Sequence, residues 1–276
     1  MILNLVYPEK SGIKYKISKF PDGQQTIDIE YINTNTIEIR SRFNSFKDLE
    51  LIICANQALI NMGATHISLY VPYFLGSRSD RKFQFGGVNY LKQVICPIIN
   101  SQNFSSVTVV DPHSDVLEGC LNNFKKINNF DLVDDALAYL IGEEEEDRVI
   151  LVSPDAGALK KIYDVAKEFE ITNVVTASKI RDIKTGDVIK TELPIMDLSG
   201  VEHIVIIDDI CDGGRTFVEL AKAIKRHTSK PIYLVVTHGI FSAGLDLLSQ
   251  YFETIYCTNS VSDIRQNDKL IQLNIF

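Results

Sequence analysis

The chain has 276 residues, of which 45% are hydrophobic and 23% are charged, and its net charge is −8 at pH 7. These values are ordinary for a globular protein, so they exclude disordered, collagen-like and coiled-coil chains. The acidic balance argues against a broad nucleic-acid-binding surface, and no apolar run approaches the ~20 residues of a membrane span. The five cysteines are widely spaced without a CxxC pair, which is typical of reduced thiols in the cytoplasm. We therefore expect a cytoplasmic protein that acts on small molecules and has no nucleic-acid or membrane partner.

Strands and helices are predicted to alternate along the chain. In the first half, strands are expected at 2–7, 15–20, 26–32, 36–40, 66–72 and 106–111, and helices at 46–61, 88–100, 114–121 and 131–142. In the second half, strands are expected at 148–153, 172–177, 203–208 and 232–237, and helices at 156–169, 214–228 and 243–251. This alternation predicts an α/β protein with a mostly parallel sheet flanked by helices in each half. The acidic run Glu143–Glu146 indicates the boundary between two domains, 1–141 and 142–276.

The strongest local motif is HIVIIDDICDGGRTFVELAKAI, in which a strand runs into Asp208 and Asp209 and a tight loop then opens a helix. The loop consists of Asp212, Gly213, Gly214, Arg215 and Thr216. Its glycines let backbone N–H groups crowd a small anion, and the helix N-terminus favours negative charge. The paired carboxylates suit vicinal sugar hydroxyls or a magnesium ion. The motif therefore predicts a sugar-phosphate site, the alternative being an acidic turn before a glycine-rich helix cap.

This motif resembles the phosphoribosyl-diphosphate loop of the phosphoribosyltransferase-like fold. Phosphoribosyltransferases, which consume the activated ribose, share that loop with ribose-phosphate diphosphokinases (PRPP synthetases), which make it. Further segments resemble the diphosphokinases in the right order: FPDGQ (20–24), YVPYFLGSRSDRK (70–82), VVDPH (109–113), SPDAG (153–157) and KIR (179–181). The chain is identified as similar to a short, divergent member of the diphosphokinase family, which implies two phosphoribosyltransferase-like domains with the active site between them.

The resemblance implies a role for each segment. The residues expected to bind ATP are Phe20, Asp22, Gln24, Arg78, Ser79, Arg81 and His113. His113 and Asp155 are expected to hold the Mg²⁺ of Mg-ATP, and Lys179 and Arg181 to be the catalytic pair of a flexible loop over 178–187. The hairpin with Phe20 is expected to reach the adenine of a neighbouring subunit. This implies a homo-oligomer, a dimer or larger, with the ATP site near a subunit interface.

The implied reaction transfers the β,γ-diphosphate of Mg-ATP to the 1-hydroxyl of ribose 5-phosphate and releases AMP. In the sugar-phosphate loop, however, Gly213 stands where the family usually has threonine, and Arg215 adds a charge. A wider cationic loop suits a larger anion, so ADP-ribose is an alternative acceptor, in a reaction that would serve NAD salvage. Arg215 could equally point to solvent. Two further alternatives are a non-catalytic regulatory subunit, against which Lys179 and Arg181 argue, and a phosphoribosyltransferase, for which no base-binding element is apparent.

Overall fold

The structure, a computed structural model, describes residues 1–141, 148–181, 188–194, 198–265 and 267–276, with the backbone alone for 141, 179–181 and 188–191. The described chain divides into two compact units. The first is Met1–Asn128 with Ile275–Phe276, and the second is Asn129–Asn274. The acidic run Glu143–Glu146 lies outside the described residues.

The first unit contains a five-stranded parallel sheet of order β1-β4-β5-β6-β7. Its strands are β1 (Ile2–Asn4), β4 (Thr36–Arg40), β5 (His66–Tyr70), β6 (Ser106–Val110) and β7 (Phe124–Ile127). A separate antiparallel hairpin pairs β2 (Tyr15–Lys19) with β3 (Gln25–Ile29). Two α-helices complete the unit, α1 (Phe46–Asn61) and α2 (Cys96–Asn100), and a π-helical turn at Leu91–Ile95 precedes α2.

Helix α1 shows why this unit folds as its sequence predicts. The helix begins at a capping box, in which the Ser45 hydroxyl accepts from the Asp48 N–H and the Asp48 carboxylate accepts from the Ser45 N–H. Leu49, Ile52 and Leu59 lie at helical spacing and are at most 1% exposed, within the core cluster that also contains the sheet side chains. Capping and burial therefore favour the same helix.

The last two residues of the chain pack within the first unit. The Phe276 ring lies edge-on to the rings of Tyr7 and Tyr70, at centroid distances of 6.3 and 6.1 Å. The Arg42 guanidinium lies 5.7 Å from the Phe276 ring centre, and the Tyr70 hydroxyl donates to the Ile275 carbonyl at 3.0 Å. These contacts make the first unit discontinuous in sequence.

The second unit contains a six-stranded parallel sheet of order β15-β14-β13-β12-β8-β9. Its strands are β8 (Val149–Ser153), β9 (Val174–Thr176), β12 (His203–Cys211), β13 (Ile232–Gly239), β14 (Ile255–Thr258) and β15 (Leu270–Leu273). An antiparallel hairpin pairs β10 (Ser178–Arg181) with β11 (Val188–Glu192). The helices are α3 (Phe130–Ile141), α4 (Leu159–Glu168) and α5 (Arg215–Lys225). Among the described residues, each helix is too short or too polar to cross a lipid bilayer.

The predicted α/β class and the parallel sheets are confirmed, while several local predictions differ from the structure. Helix α3 belongs to the second unit, because Leu132, Val133 and Ala136 join the core of that sheet, so the division falls after Asn128 rather than after residue 141. The predicted helix at 114–121 is a series of turns, and the Asn100 side-chain amide donates to the Cys120 carbonyl there.

The predicted helix at 243–251 is reduced to a 3₁₀ turn at Leu248–Gln250. Gly244 lies at a φ of 76°, outside the right-handed helical region, so a helix cannot pass through it. Five strands, β7, β10, β11, β14 and β15, were not predicted from the sequence.

Candidate active site

The predicted sugar-phosphate loop lies between β12 and α5, at the carboxyl end of the second sheet. Strand β12 continues through Asp208 and Asp209 to Cys211 rather than ending at Asp208 as predicted. Gly214 is the N-cap of α5 at a φ of 75°, and a Cβ there would lie 3.0 Å from the Leu248 side chain. A glycine is therefore required at this position both by the backbone conformation and by the close approach of Leu248.

The remaining loop residues surround the N-terminus of α5. Gly213 and Arg215 are exposed, and Asp212 and Thr216 are half-buried. A Cβ at Gly213 would find a single described atom within 4 Å, the Ser242 Oγ at 3.8 Å. The first N–H groups of α5 lack partners within the helix, so they can donate to an anion held at this terminus.

A cluster of carboxylates lies beside this loop. Asp209 is 5% exposed, and its N–H donates to the Asp208 carboxylate at 2.9 Å. Burial, and then the negative charges of Asp209 and Asp155, raises the pKa of Asp208 well above its usual value. The Lys161 ammonium from α4 lies 3.6 Å from the Asp209 carboxylate. Because negative charge is in excess here, sugar hydroxyls or a cation would be favoured partners.

Sequence reasoning missed Lys161. It lies six residues after Asp155, on the helix that follows β8, outside every segment to which the sequence analysis gave a role. It reaches the cluster because the carboxyl ends of neighbouring parallel strands β8 and β12 meet at one sheet edge. The signal available in the sequence was the pair Lys160-Lys161 at the start of an otherwise amphipathic helix.

Asp155 begins the segment that leads into α4. One of its carboxylate oxygens accepts from the N–H groups of Gly157 and Ala158, at 2.9 and 3.3 Å. This capping fixes the carboxylate at the end of β8. The other predicted magnesium ligand, His113, is exposed and belongs to the first unit, so the predicted pair is divided between the two units.

Two predicted ATP-binding segments of the first unit lie together. Arg78 and Arg81 are exposed in the turns after β5, and the Arg81 guanidinium lies 5.6 Å from the Phe83 ring centre. Asp80, which lies between Ser79 and Arg81, accepts a hydrogen bond of 2.7 Å from the Ser114 hydroxyl. Since Ser114 follows His113 directly, this bond joins the arginine segment to the histidine segment.

The predicted adenine-binding hairpin has an exposed tip between β2 and β3. Phe20 is 52% exposed, and its N–H donates to the Gln24 carbonyl at 2.9 Å. The Asp22 carboxylate accepts from the Gln24 N–H at 3.1 Å, and Gly23 makes the turn at a φ of 101°. The tip is therefore a defined turn that presents an aromatic ring, and its proposed contact with a neighbouring subunit stays a prediction.

The predicted catalytic pair lies on the β10–β11 hairpin. Lys179 pairs with Thr191 and Arg181 with Val188, and the register shifts between Ile180 and Arg181. Their side chains, and the loop at 182–187 with Lys184, lie outside the described residues. The structure thus places Lys179 and Arg181 on strand β10, and their catalytic roles stay predictions.

The phosphoribosyl transferase domain family matches residues 122–266. A ribose-phosphate pyrophosphokinase of Methanopyrus kandleri is 27% identical over 248 residues, which cover 88% of this chain and 82% of that protein. The corresponding protein of Sulfurisphaera tokodaii is 28% identical over 258 residues, covering 90% of this chain and 85% of that protein.

Among solved structures, the phosphoribosylpyrophosphate synthetase of Mycobacterium smegmatis has the same fold. Its crystal structure matches with a TM-score of 0.81 at 16% identity, over 97% of this chain and 88% of that chain. The predicted two-domain fold class is thereby supported over nearly the whole length of the chain.

Proposed function

Because the chain belongs to the phosphoribosyl transferase domain family and is a transferase similar to ribose-phosphate pyrophosphokinases, we propose that it makes PRPP. The proposed reaction transfers the β,γ-diphosphate of Mg-ATP to the 1-hydroxyl of ribose 5-phosphate and releases AMP. The observation that carries the proposal is the junction of β12 and α5, where the helix N-terminus adjoins the half-buried Asp208 and the buried Asp209. The helix N-terminus would bind the phosphate of a sugar phosphate, and the carboxylates would bind its hydroxyls.

The acceptor would be held by its two ends. Its 5-phosphate would accept from the backbone N–H groups at the start of α5 and from the Thr216 hydroxyl. Its vicinal hydroxyls would donate to the carboxylates of Asp208 and Asp209, which are adjacent on β12 beside the loop. The Lys161 ammonium, 3.6 Å from Asp209, would hold that carboxylate in place.

ATP would be bound by the first unit. Arg78 and Arg81 would contact the triphosphate, since guanidinium groups suit phosphate oxygens. The Ser114–Asp80 hydrogen bond would hold their segment beside His113. We further propose that the tip with Phe20, Asp22 and Gln24 contacts the adenine from a neighbouring subunit, which makes the enzyme a homo-oligomer.

Magnesium fits the donors present. Among the described residues, no group of three or more His, Cys, Asp or Glu side chains could hold a metal ion on its own, so the ion would arrive with ATP, whose phosphate oxygens complete the octahedron. His113 and the capped Asp155 would hold it, and its charge would neutralise the diphosphate being transferred. Lys179 and Arg181 would add cations that stabilise the transition state.

The test is to incubate the protein with Mg-ATP and ribose 5-phosphate and to follow AMP and PRPP by phosphorus NMR. We expect equal amounts of both products, and Asp209→Asn to abolish them while the exposed Asp246→Asn serves as a matched control. ADP rather than AMP, or no transfer at all, would contradict the proposal. Release of pyrophosphate from PRPP in the presence of a nitrogenous base would instead indicate a phosphoribosyltransferase.

ADP-ribose is a second candidate acceptor, favoured by the open surroundings of Gly213 and the exposed Arg215. If Arg215 holds the diphosphate of ADP-ribose, Arg215→Ala removes a charge-assisted contact of roughly 1.5–3 kcal/mol. The KM for ADP-ribose should then rise about 10- to 150-fold. Gly213→Thr should shift the preference toward ribose 5-phosphate, and no ADP-ribose turnover by the parent protein would eliminate this candidate.

A further inference from the structure

A second loop, residues 240–242 after β13, is hydrogen-bonded to the sugar-phosphate loop. The N–H groups of Ile240 and Phe241 both donate to the Cys211 carbonyl, at 2.9 and 3.1 Å. The Ser242 N–H donates to the Asp212 carbonyl at 3.2 Å, and the Ser242 hydroxyl donates to the Asp212 carboxylate at 2.6 Å. Residues 240–242 therefore fix both the backbone and the side chain of Asp212.

The conformation of this second loop is tightly specified. A Cβ at Gly239 would lie 2.2 Å from the Phe241 ring, so a glycine is required there. Phe241 is 7% exposed and adopts a φ of 46°, which a bulky residue adopts only where its surroundings hold it. The loop thus has one well-defined shape that delivers Ser242 to Asp212.

The base of the loop is anchored in buried polar contacts. His238 is 2% exposed, and its Nδ1 lies 2.8 Å from the Ser260 hydroxyl. The Thr258 hydroxyl donates to the Thr237 carbonyl at 2.6 Å. These contacts tie the ends of β13 and β14 together, directly beside the Cys211 end of β12. Buried and satisfied hydrogen bonds of this kind make a rigid support.

We propose that Ser242 is a positioning residue for the acceptor site, an inference that rests on the proposed function. The Asp212 carboxylate lies two residues before the helix N-cap Gly214, at the edge of the anion site, where a mobile negative charge would repel the acceptor phosphate. The Ser242 hydroxyl holds that carboxylate in one orientation. The backbone N–H groups of the loop are thereby preorganised for the phosphate before it binds.

The first experiment separates acceptor binding from the rest of catalysis. Ser242→Ala should raise the KM for ribose 5-phosphate about 5- to 10-fold, the effect of losing one hydrogen bond, with kcat and the KM for ATP changed less than about 2-fold. Ser242→Thr keeps the hydroxyl and should restore the parent KM to within about 3-fold. The exposed Ser229, beyond the far end of α5, supplies the matched control Ser229→Ala, which should leave all three constants unchanged.

A double-mutant cycle tests whether Ser242 acts through Asp212. In an Asp212→Ala background, Ser242→Ala should have less than about a 2-fold further effect on the KM for ribose 5-phosphate. If the two substitutions raise the KM for ribose 5-phosphate independently, so that their fold-changes multiply, Ser242 does not act through Asp212 and the inference is overturned. An unchanged KM in Ser242→Ala would overturn it as well.

A calorimetric titration with inorganic phosphate distinguishes this failure from a failure of the proposed function. The parent protein should bind phosphate about 5- to 10-fold more tightly than Ser242→Ala does. If the parent binds phosphate in this way but releases no AMP with any acceptor, the proposed function fails and the role of Ser242 stands. Equal binding by the two proteins, or no binding by the parent, overturns the role of Ser242.

Discussion

Replacing Gly214 by alanine tests the geometry of the sugar-phosphate loop most directly. Gly214 has a φ of 75°, and the added Cβ would lie 3.0 Å from the side chain of Leu248, which is itself 1% exposed. The alanine must therefore hold a left-handed conformation and displace a packed leucine at the same time.

The cost can be worked out from these two effects. A left-handed conformation costs an L-residue about 1–2 kcal/mol, and overpacking of a filled core costs about 1–3 kcal/mol. Alanine also restricts the unfolded chain, which returns about 0.4–1 kcal/mol. We therefore expect Gly214→Ala to lower the free energy of unfolding by about 1–4.6 kcal/mol, which is the difference left by these three ranges.

Urea unfolding followed by circular dichroism measures this loss. At about 2 kcal/mol per molar urea, the midpoint should fall by roughly 0.5–2.3 M. Two alanine variants of the same unit are matched controls. Gly213→Ala meets neither effect and should be neutral or slightly stabilising. Gly244→Ala has a φ of 76° with nothing among the described residues within 4 Å, so it isolates the cost of the conformation.

The order of the stability losses of the three variants tests the two effects assigned to Gly214. The loss should be greatest for Gly214→Ala, smaller for Gly244→Ala, and close to zero for Gly213→Ala. A Gly214→Ala protein as stable as Gly213→Ala would refute the left-handed conformation. If Gly214→Ala lowers the free energy of unfolding no more than Gly244→Ala does, then the Leu248 side chain moves aside without a free-energy cost.

The other predictions concern charges in the site. Lys179→Ala should lower kcat at least about 10²-fold with little change in the KM for ATP, because its charge is needed in the transition state; steady-state kinetics that show the reverse would remove it from the catalytic step. His113→Ala and Asp155→Asn should each weaken Mg-ATP binding in a magnesium titration, and Asp155→Asn should stay folded because its amide oxygen can still cap Gly157. The raised pKa of Asp208 means that this carboxyl group is more protonated in the folded protein than in the unfolded chain, so in metal-free buffer its contribution to the free energy of unfolding should fall as the pH rises from 3.8 to the raised pKa. Asp208→Asn should therefore raise the urea midpoint at pH 7, and an unchanged or lower midpoint would contradict the pKa shift.

Features encoded within one short segment could be predicted from the sequence. Helix α1 was predicted with its observed bounds, Phe46–Asn61, because its cap and its apolar spacing are local. The β12–α5 junction was recognised for the same reason, since the carboxylates, the glycines and the helix face occupy a continuous stretch of chain. Local propensity and burial act together in both cases.

Contacts between distant segments could not be predicted in this way. Asp80 with Ser114, Lys161 with Asp209, and Ser242 with Asp212 each join residues from different loops or elements. Each pair meets because parallel strands deliver the segments after them to one edge of a sheet. The order of strands in that sheet, which no single segment contains, decides which loops become neighbours.

The position of Phe276 has a consequence for folding during translation. Domains usually fold in turn as the chain emerges, the N-terminal one first. Here the rings of Tyr7 and Tyr70 contact Phe276, which is synthesised only after the whole second unit. We therefore expect the first unit to lack these aromatic contacts until the second unit and residues 275 and 276 have been made.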